Sequence, residues 1–147
     1  MTQPIDRILD ANLNRAREGL RVGEEIARLV LEDATLQAAF KAVRHGITAA
    51  EKRLGGAALL QSRSADRDPG SRPQPRLENR RTDWPDLAQA NLRRAEEALR
   101  VLEEVAKLRS TEASAKFKAT RFKAYVLEQR LAVGLLAGGK RWKRANR

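Results

Sequence analysis

Cysteine is missing from this 147-residue chain, and histidine occurs once, at His45. A disulfide framework and a thiolate metal site are therefore excluded, and one imidazole cannot build a zinc cluster. No apolar run approaches the length of a membrane span. The N-terminus, with Asp6 and Asp10 early, lacks the apolar segment of a signal peptide, so a cytoplasmic protein with no membrane partner is expected. The chain also has no Gly-rich loop followed by Lys-Ser/Thr, no G-x-G-x-x-G and no Ser-centred elbow, which removes the common phosphate-binding and acyl-transfer designs. Acidic residues are in deficit: 19 against 30 Lys plus Arg, a net charge of +11. Such a balance draws anions, and by itself it does not choose between RNA, phosphate metabolites and plain solubility.

What the chain does contain, it contains twice. Residues 11–29 return 79 positions later as residues 90–108, and 13 of the 19 aligned positions are identical. The identities include polar residues (Asn12/Asn91, Arg15/Arg94, Arg21/Arg100, Glu25/Glu104), which packing alone would let drift. A second match follows at an offset of 77, pairing Phe40-Lys41-Ala42-Val43-Arg44 with Phe117-Lys118-Ala119-Thr120-Arg121 and Glu51-x-Arg53-Leu54 with Glu128-x-Arg130-Leu131. The chain is an internal duplication of a two-segment unit.

Apolar spacing makes each segment a helix. Leu9, Leu13, Ala16, Leu20, Gly23, Ala27 and Val30 fall on one face at alternating steps of four and three, and Leu36, Phe40, Val43, Ile47, Ala50 and Leu54 form a second seam. The copies repeat both. Asp83 followed by Pro85 and Asp86 reads as an N-cap, while Gly55-Gly56 and Gly138-Gly139 read as helix ends. The expected fold is all-α: an antiparallel bundle of two pairs of long helices related by a pseudo-two-fold, closed within one chain or across a homodimer. Its expected extent is one helical domain over residues 1–137, with repeat one at 5–56, a linker at 57–83 and repeat two at 84–137. The basic segment 138–147, with five Lys or Arg in its last eight residues, is expected to be disordered.

Beside its core seam, each first helix carries a stripe that begins with an amide and a guanidinium, Asn12 and Arg15 or Asn91 and Arg94, next to a small residue. One reading is a paired pocket in which Asn bonds a heterocycle or ribose and Arg grips phosphate; the other is that both bond the facing helix. The ladder Glu18, Arg21, Glu25, Arg28 and its copy Glu97, Arg100, Glu104, Lys107 has the spacing of solvated ion pairs. Retention in both copies keeps Arg21, Glu25, Arg100 and Glu104 as binding candidates. His45 aligns with Phe122 and is not assigned a catalytic role.

Several of these segments together resemble a known family. Residues 7–22, the Arg44-His45 step, the linker Arg63-x4-Asp68-Pro69-Gly70-Ser71-x6-Glu78-x2-Arg81 and the second Ala90-Asn91-x2-Arg94-x2-Glu97-Ala98-Leu99-Arg100 are similar to the small helical domain often fused to the N-terminus of thiamine-phosphate synthase. That family is understood as hydroxymethylpyrimidine-phosphate kinases. The resemblance implies ATP as co-substrate with Mg²⁺, a phosphate-bearing pyrimidine as acceptor, a link to thiamine-phosphate synthase, and no nucleic acid. The rival expectation is a non-catalytic module that binds nucleotide, RNA or a thiamine-synthesis partner.

Carried onto these residues, the resemblance assigns Arg63, Asp68 and Arg81 to catalysis. It assigns Asp68 and Glu78 to the metal. Binding falls to Asn12, Arg15, Asn91, Arg94, Gly70, Ser71 and Glu78, with Arg44 and its repeat Arg121 in the same group. Two departures stand out: the family's usual Asp-Thr after the linker arginine is Ser64-Ala65 here, and Gly23 replaces an aliphatic residue, which would weaken one packing layer. The synthase domain does not follow, so a free-standing form is expected.

Overall fold

The computed structural model describes residues 3–73 and 80–145, with side chains for 4–73 and 80–138. Among the described residues the regular structure is all helical: α1 (Gln3–Glu25), α2 (Ala34–Arg53), α3 (Gly56–Gln61), α4 (Trp84–Ala106) and α5 (Thr111–Ala145). Four are the long helices of the two repeats. The fifth, α3, is a short turn inside the segment read as linker, anchored by fully buried Leu59. None of the described helices is long and apolar enough to cross a membrane.

Helices α1 and α4 form the antiparallel centre. An ion pair joins Asp6, near the start of α1, to Arg109, just past the end of α4, at 2.5 Å. Gly19 faces Asn91 and Ala95. A Cβ on Gly19 would stand 2.5 Å from the Asn91 carbonyl oxygen, so the two backbones approach as closely as they do because Gly19 has no side chain. Helix α2 packs on α1, α5 packs on α4, and the two outer helices touch each other. The seam residues Leu9, Leu13, Ala16, Leu20 and Ala27 interleave with Leu92, Ala95, Leu99, Leu102 and Ala106, and Phe40 and Phe117 close the layer from outside, all at 0–1% exposure. The packing layer at Gly23 is not weakened: the Phe40 ring lies within 2.7–2.9 Å of where a Cβ would stand, so the aromatic fills the missing side chain's volume.

The start of α4 follows the capping expectation, with Asp83 accepting from Asp86 N–H at 2.9 Å behind a proline in the first turn. Helix α2 ends as expected before Gly55, whose φ of 85° belongs to the left-handed region. Helix α5 does not stop at Gly138-Gly139; its backbone stays helical to Ala145. Each glycine costs a helix about 1 kcal/mol relative to alanine, and the Ala, Leu, Lys and Arg around the pair are among the best helix formers.

The shift in repeat offset from 79 to 77 has a structural cause. After Glu25 the first repeat widens into a π-turn at Ile26–Val30, with Leu31 N–H reaching back to Ile26 O at 3.0 Å, and then passes through Glu32 at a positive φ of 54° before Asp33 caps α2. The second repeat makes the same reversal by a plain turn after Ala106, with Ser110 Oγ accepting from Ala113 N–H. The wider turn absorbs the two extra residues.

One side-chain pair has diverged between the halves. Arg17 of α1 forms an ion pair with Glu51 of α2. The matching positions of the second half hold Glu96 and Glu128, so α4 meets α5 through two carboxyls. Burial pushes the Glu96 carboxyl up, and its contact with Glu128 pushes it further, to about 8, against the opposing pull of Arg93. A carboxyl whose folded pKa lies above its ordinary value of 4.5 favours folding when protonated. Its contribution is full below 4.5, declines as pH rises, and is lost above about 8. Glu96→Gln keeps a neutral group in place, so its melting temperature should match the parent's below pH 4.5, pull ahead as the pH rises, and exceed it by several degrees above about pH 8. Parallel melting curves across that range would mean that Glu96 ionises freely.

Candidate functional site

Where α1 and α4 cross, their second stripes face the same space. The result is one groove on the pseudo-two-fold axis, about 640 Å³, lined in matched pairs by Asn12 and Asn91, Arg15 and Arg94, Glu18 and Glu97, and Gly19 and Ala98, with Gly70 of the linker at its mouth. The stripes suggested a paired pocket; the close approach at Gly19 brings its two halves into one groove. Arg15 and Arg94 are solvent-exposed, and neither guanidinium has a hydrogen-bond or ion-pair partner among the described residues. They are a pair of guanidiniums over one cavity with their donors free, beside the Glu18 and Glu97 carboxylates of the same lining, and their forks suit phosphate.

A second cavity, about 480 Å³, adjoins the first on the α1 side only. Arg7, Asp10, Asn14, Arg63, Ser64 and Asp68 contribute to it, and it shares Asn12 and Arg15 with the central groove. The linker therefore breaks the symmetry by roofing one half of the groove. It is held there by Arg63, whose Nε and Nη2 donate to both oxygens of buried Asp10 at 2.7 and 2.8 Å. The Asp10 carboxylate in turn raises the Arg63 pKa. Asp10 escaped the sequence reading. It stands one residue before the repeated segment and its copy is Gln89, so an unrepeated carboxylate beside a repeated asparagine was the available signal.

The turn after Arg63 is self-contained. Asp68 Oδ1 accepts from Gly70 N–H at 2.7 Å, and Ser71 Oγ donates to the Asp68 carbonyl at 2.7 Å. Gly70 and Ser71 were read as substrate-binding, and here their donors shape the loop. An ideal Cβ on Gly70 would stand 3.5 Å from Arg15 Nη2, so glycine lets the loop lie against that arginine. Arg81 donates to the Arg80 carbonyl at 3.4 Å and is not among the residues lining either cavity. Glu78 lies outside the described residues. No group of three His, Cys, Asp or Glu able to hold a metal occurs among the described residues, and Asp68 has one carboxylate oxygen already bonded.

Arg44 and Arg121, read as substrate-binding, lie away from the groove. Arg44 Nε donates to buried Glu24 at 2.8 Å, and Arg121 Nη2 donates to buried Glu103 at 2.7 Å. These are the same pair in the two repeats, each tying an outer helix to a central one. Burial pushes both carboxyls up, but the Arg44 and Arg121 forks, aided by Arg21 and Arg100, more than reverse it and hold both pKa values below the ordinary 4.5. Glu24 and Glu103 were hidden behind the neighbouring ladder. Arg21, Glu25, Arg100 and Glu104 do belong to that ladder, with contacts of 3.2 Å from Arg21 to Glu25 and from Arg100 to Glu104, and none of the four lines the central groove.

Arg44→Met should lower stability by about 2–4 kcal/mol, because buried Glu24 loses its ion-pair partner, and Arg121→Met by less, because Arg100 Nη1 still donates to Glu103 at 3.2 Å. The loss should be full above pH 4.5 and fade as the pH falls through the depressed carboxyl values. Denaturant titration at two pH values checks this, and ligand affinity of the folded fraction should not change. A large affinity loss with intact stability would return these arginines to the binding site.

The sequence compared with known proteins extends the pattern beyond this chain. It is 44% identical over 134 residues to a thiamine-phosphate synthase of Thermosynechococcus vestitus, covering 91% of this chain and 37% of that protein. It is 45% identical over 127 residues to one from Synechocystis, covering 86% of this chain and 36% of the relative, and 40% identical over 119 residues to one from Rhodopirellula baltica, covering 81% and 32%. The chain thus spans about a third of the length of these relatives. No solved structure matches it significantly. The match to a family model runs from residue 7, at the rim of the linker cavity, to residue 130, and so takes in both repeats and the loop between them: the chain belongs to the ThiD2 family.

Proposed function

We propose that this chain transfers the γ-phosphoryl group of ATP to the phosphate of 4-amino-5-hydroxymethyl-2-methylpyrimidine phosphate, giving the diphosphate for thiamine synthesis. The observation that carries the reading is the sharing of Asn12 and Arg15 by two adjoining cavities. A nucleotide in one and the pyrimidine phosphate in the other would meet, phosphate to phosphate, at Arg15. Relatives named for making thiamine phosphate suit a domain that prepares thiamine's pyrimidine.

The chemistry asks little of the protein beyond position and charge. An oxygen of the acceptor phosphate, already ionised at neutral pH, attacks the γ-phosphorus, and the bond to the ADP oxygen breaks. No general base is required, which accords with His45 having no counterpart in the second repeat. Negative charge gathers on the transferred group between Arg15 and Arg94, while Arg63, locked by Asp10, lines the acceptor-side wall. Mg²⁺ would arrive bound to the ATP phosphates as part of the substrate, an arrangement that asks for no more than one or two carboxylates from the protein, for which Asp68 is the linker's candidate.

Incubating the protein with the pyrimidine phosphate and Mg-ATP should yield diphosphate and ADP in equal amounts; no product over a range of metals and pH would overturn the reading. Arg15→Ala and Arg94→Ala should each lower turnover by roughly a hundredfold, the scale of one lost transition-state contact, with melting temperature unchanged because neither side chain has a partner among the described residues. Competition between the unphosphorylated alcohol and its phosphate should favour the phosphate by roughly a hundredfold or more, since the alcohol leaves an arginine without its anion. Comparable rates would remove the acceptor phosphate from Arg15.

A further inference from the structure

The two groove asparagines are oriented by the same device. Asn12 Nδ2 donates to the Ile8 carbonyl and Asn91 Nδ2 to the Leu87 carbonyl, each four residues back in its own helix and each at 2.9 Å. This bond fixes which end of the amide is which. A half-turn of either side chain would set Oδ1 against a carbonyl oxygen at hydrogen-bond distance, two acceptors with no proton between them. In the fixed orientation Oδ1 has no donor among the described residues, and one amide hydrogen is left over. Both side chains line the central groove. Asn12 is only 8% exposed, so a ligand that failed to complement its amide would exclude water without replacing it.

We infer that each asparagine reads one ring edge, an amino group beside an unprotonated ring nitrogen, so that the two adjoining cavities hold two amino-heterocycles, one at Asn12 and one at Asn91, and reject their oxo analogues. Oδ1 accepts from the amino group and the remaining Nδ2 hydrogen donates to the ring nitrogen. The inference rests on the pyrimidine-kinase reading of this groove. It explains why Asn12 and Asn91 are retained in both repeats: adenine and a 4-aminopyrimidine are different molecules that present the same donor and acceptor edge. An oxo ring reverses the pattern, setting a carbonyl against Oδ1 and a ring N–H against the amide hydrogen.

The test compares ligands that differ only at that edge, by calorimetric binding to the whole chain without turnover. ATP against ITP exchanges the 6-amino for a 6-oxo group while the triphosphate contacts cancel. The 4-aminopyrimidine phosphate against its 4-oxo counterpart does the same for the acceptor. In each pair the oxo ligand should bind about 10- to 100-fold more weakly, the discrimination expected of one bidentate amide-to-base contact. Asn12→Ala should erase the preference within one pair and Asn91→Ala within the other. Equal affinities within both pairs on the parent protein would overturn the inference while leaving the kinase reading in place. Loss of both preferences in a single variant would overturn the assignment of one edge to each half. Failure of both amino ligands to bind at all would remove the kinase reading, and this inference with it.

Discussion

The close passage of α1 across α4 at Gly19 is the contact on which the rest of the molecule depends. Because Gly19 presents only hydrogen toward the Asn91 carbonyl, the two helices approach to backbone distance, and the stripes beside their core seams converge on one space. A wider crossing would leave Asn12 with Arg15 and Asn91 with Arg94 as two unconnected surface patches. The outer helices serve this geometry from behind. Phe40 settles into the notch at Gly23, and the buried Glu24–Arg44 and Glu103–Arg121 pairs fix α2 and α5 against the central helices. Such pairs add little net stability over an apolar substitute, but they tolerate only one alignment of the helices they join.

Symmetry gives the groove its paired chemistry, and the linker takes the symmetry away. One half is roofed by the segment around Asp68–Ser71, pinned by Arg63 to a carboxylate that has no copy, while the other half has no such cover among the described residues. The molecule therefore offers two similar recognition elements in unlike surroundings. A reaction that joins two phosphate-bearing rings of different size needs that combination of shared recognition and unequal access.

Much of this was legible in the sequence, and the parts that were not share a cause. The helices, the Asp83 cap and the duplicated stripe follow from local periodicity and repetition, which a chain records directly. Asp10, Glu24 and Glu103 were missed because their importance lies in a partner far along the chain, Arg63, Arg44 or Arg121, and a one-dimensional pattern does not show which acid faces which base. The ladder residues beside Glu24 had the more obvious spacing and drew attention from it. The linker posed the opposite difficulty. Its motif pointed to phosphate contacts, yet Gly70 N–H and Ser71 Oγ turn inward to Asp68, because a short turn rich in Asp, Gly and Ser satisfies its own polar groups first.

The widened turn between α1 and α2 bears on how a duplicated chain finds a single topology. Two near-identical helix pairs could in principle dock in either order, with α2 exchanging places with α5, and the resulting structures would bury similar surfaces. Unequal connections remove that degeneracy, as they do in symmetric helical bundles where loop length alone distinguishes one threading from its mirror arrangement. The π-turn at Ile26–Val30 and the left-handed Glu32 lengthen the first connection by two residues while keeping the equivalent pairs Glu24–Arg44 and Glu103–Arg121 in the same register. An exchanged threading would also set Phe40 against Leu102 in place of Gly23, so unequal connections and one missing side chain together act as a key that selects one global fold.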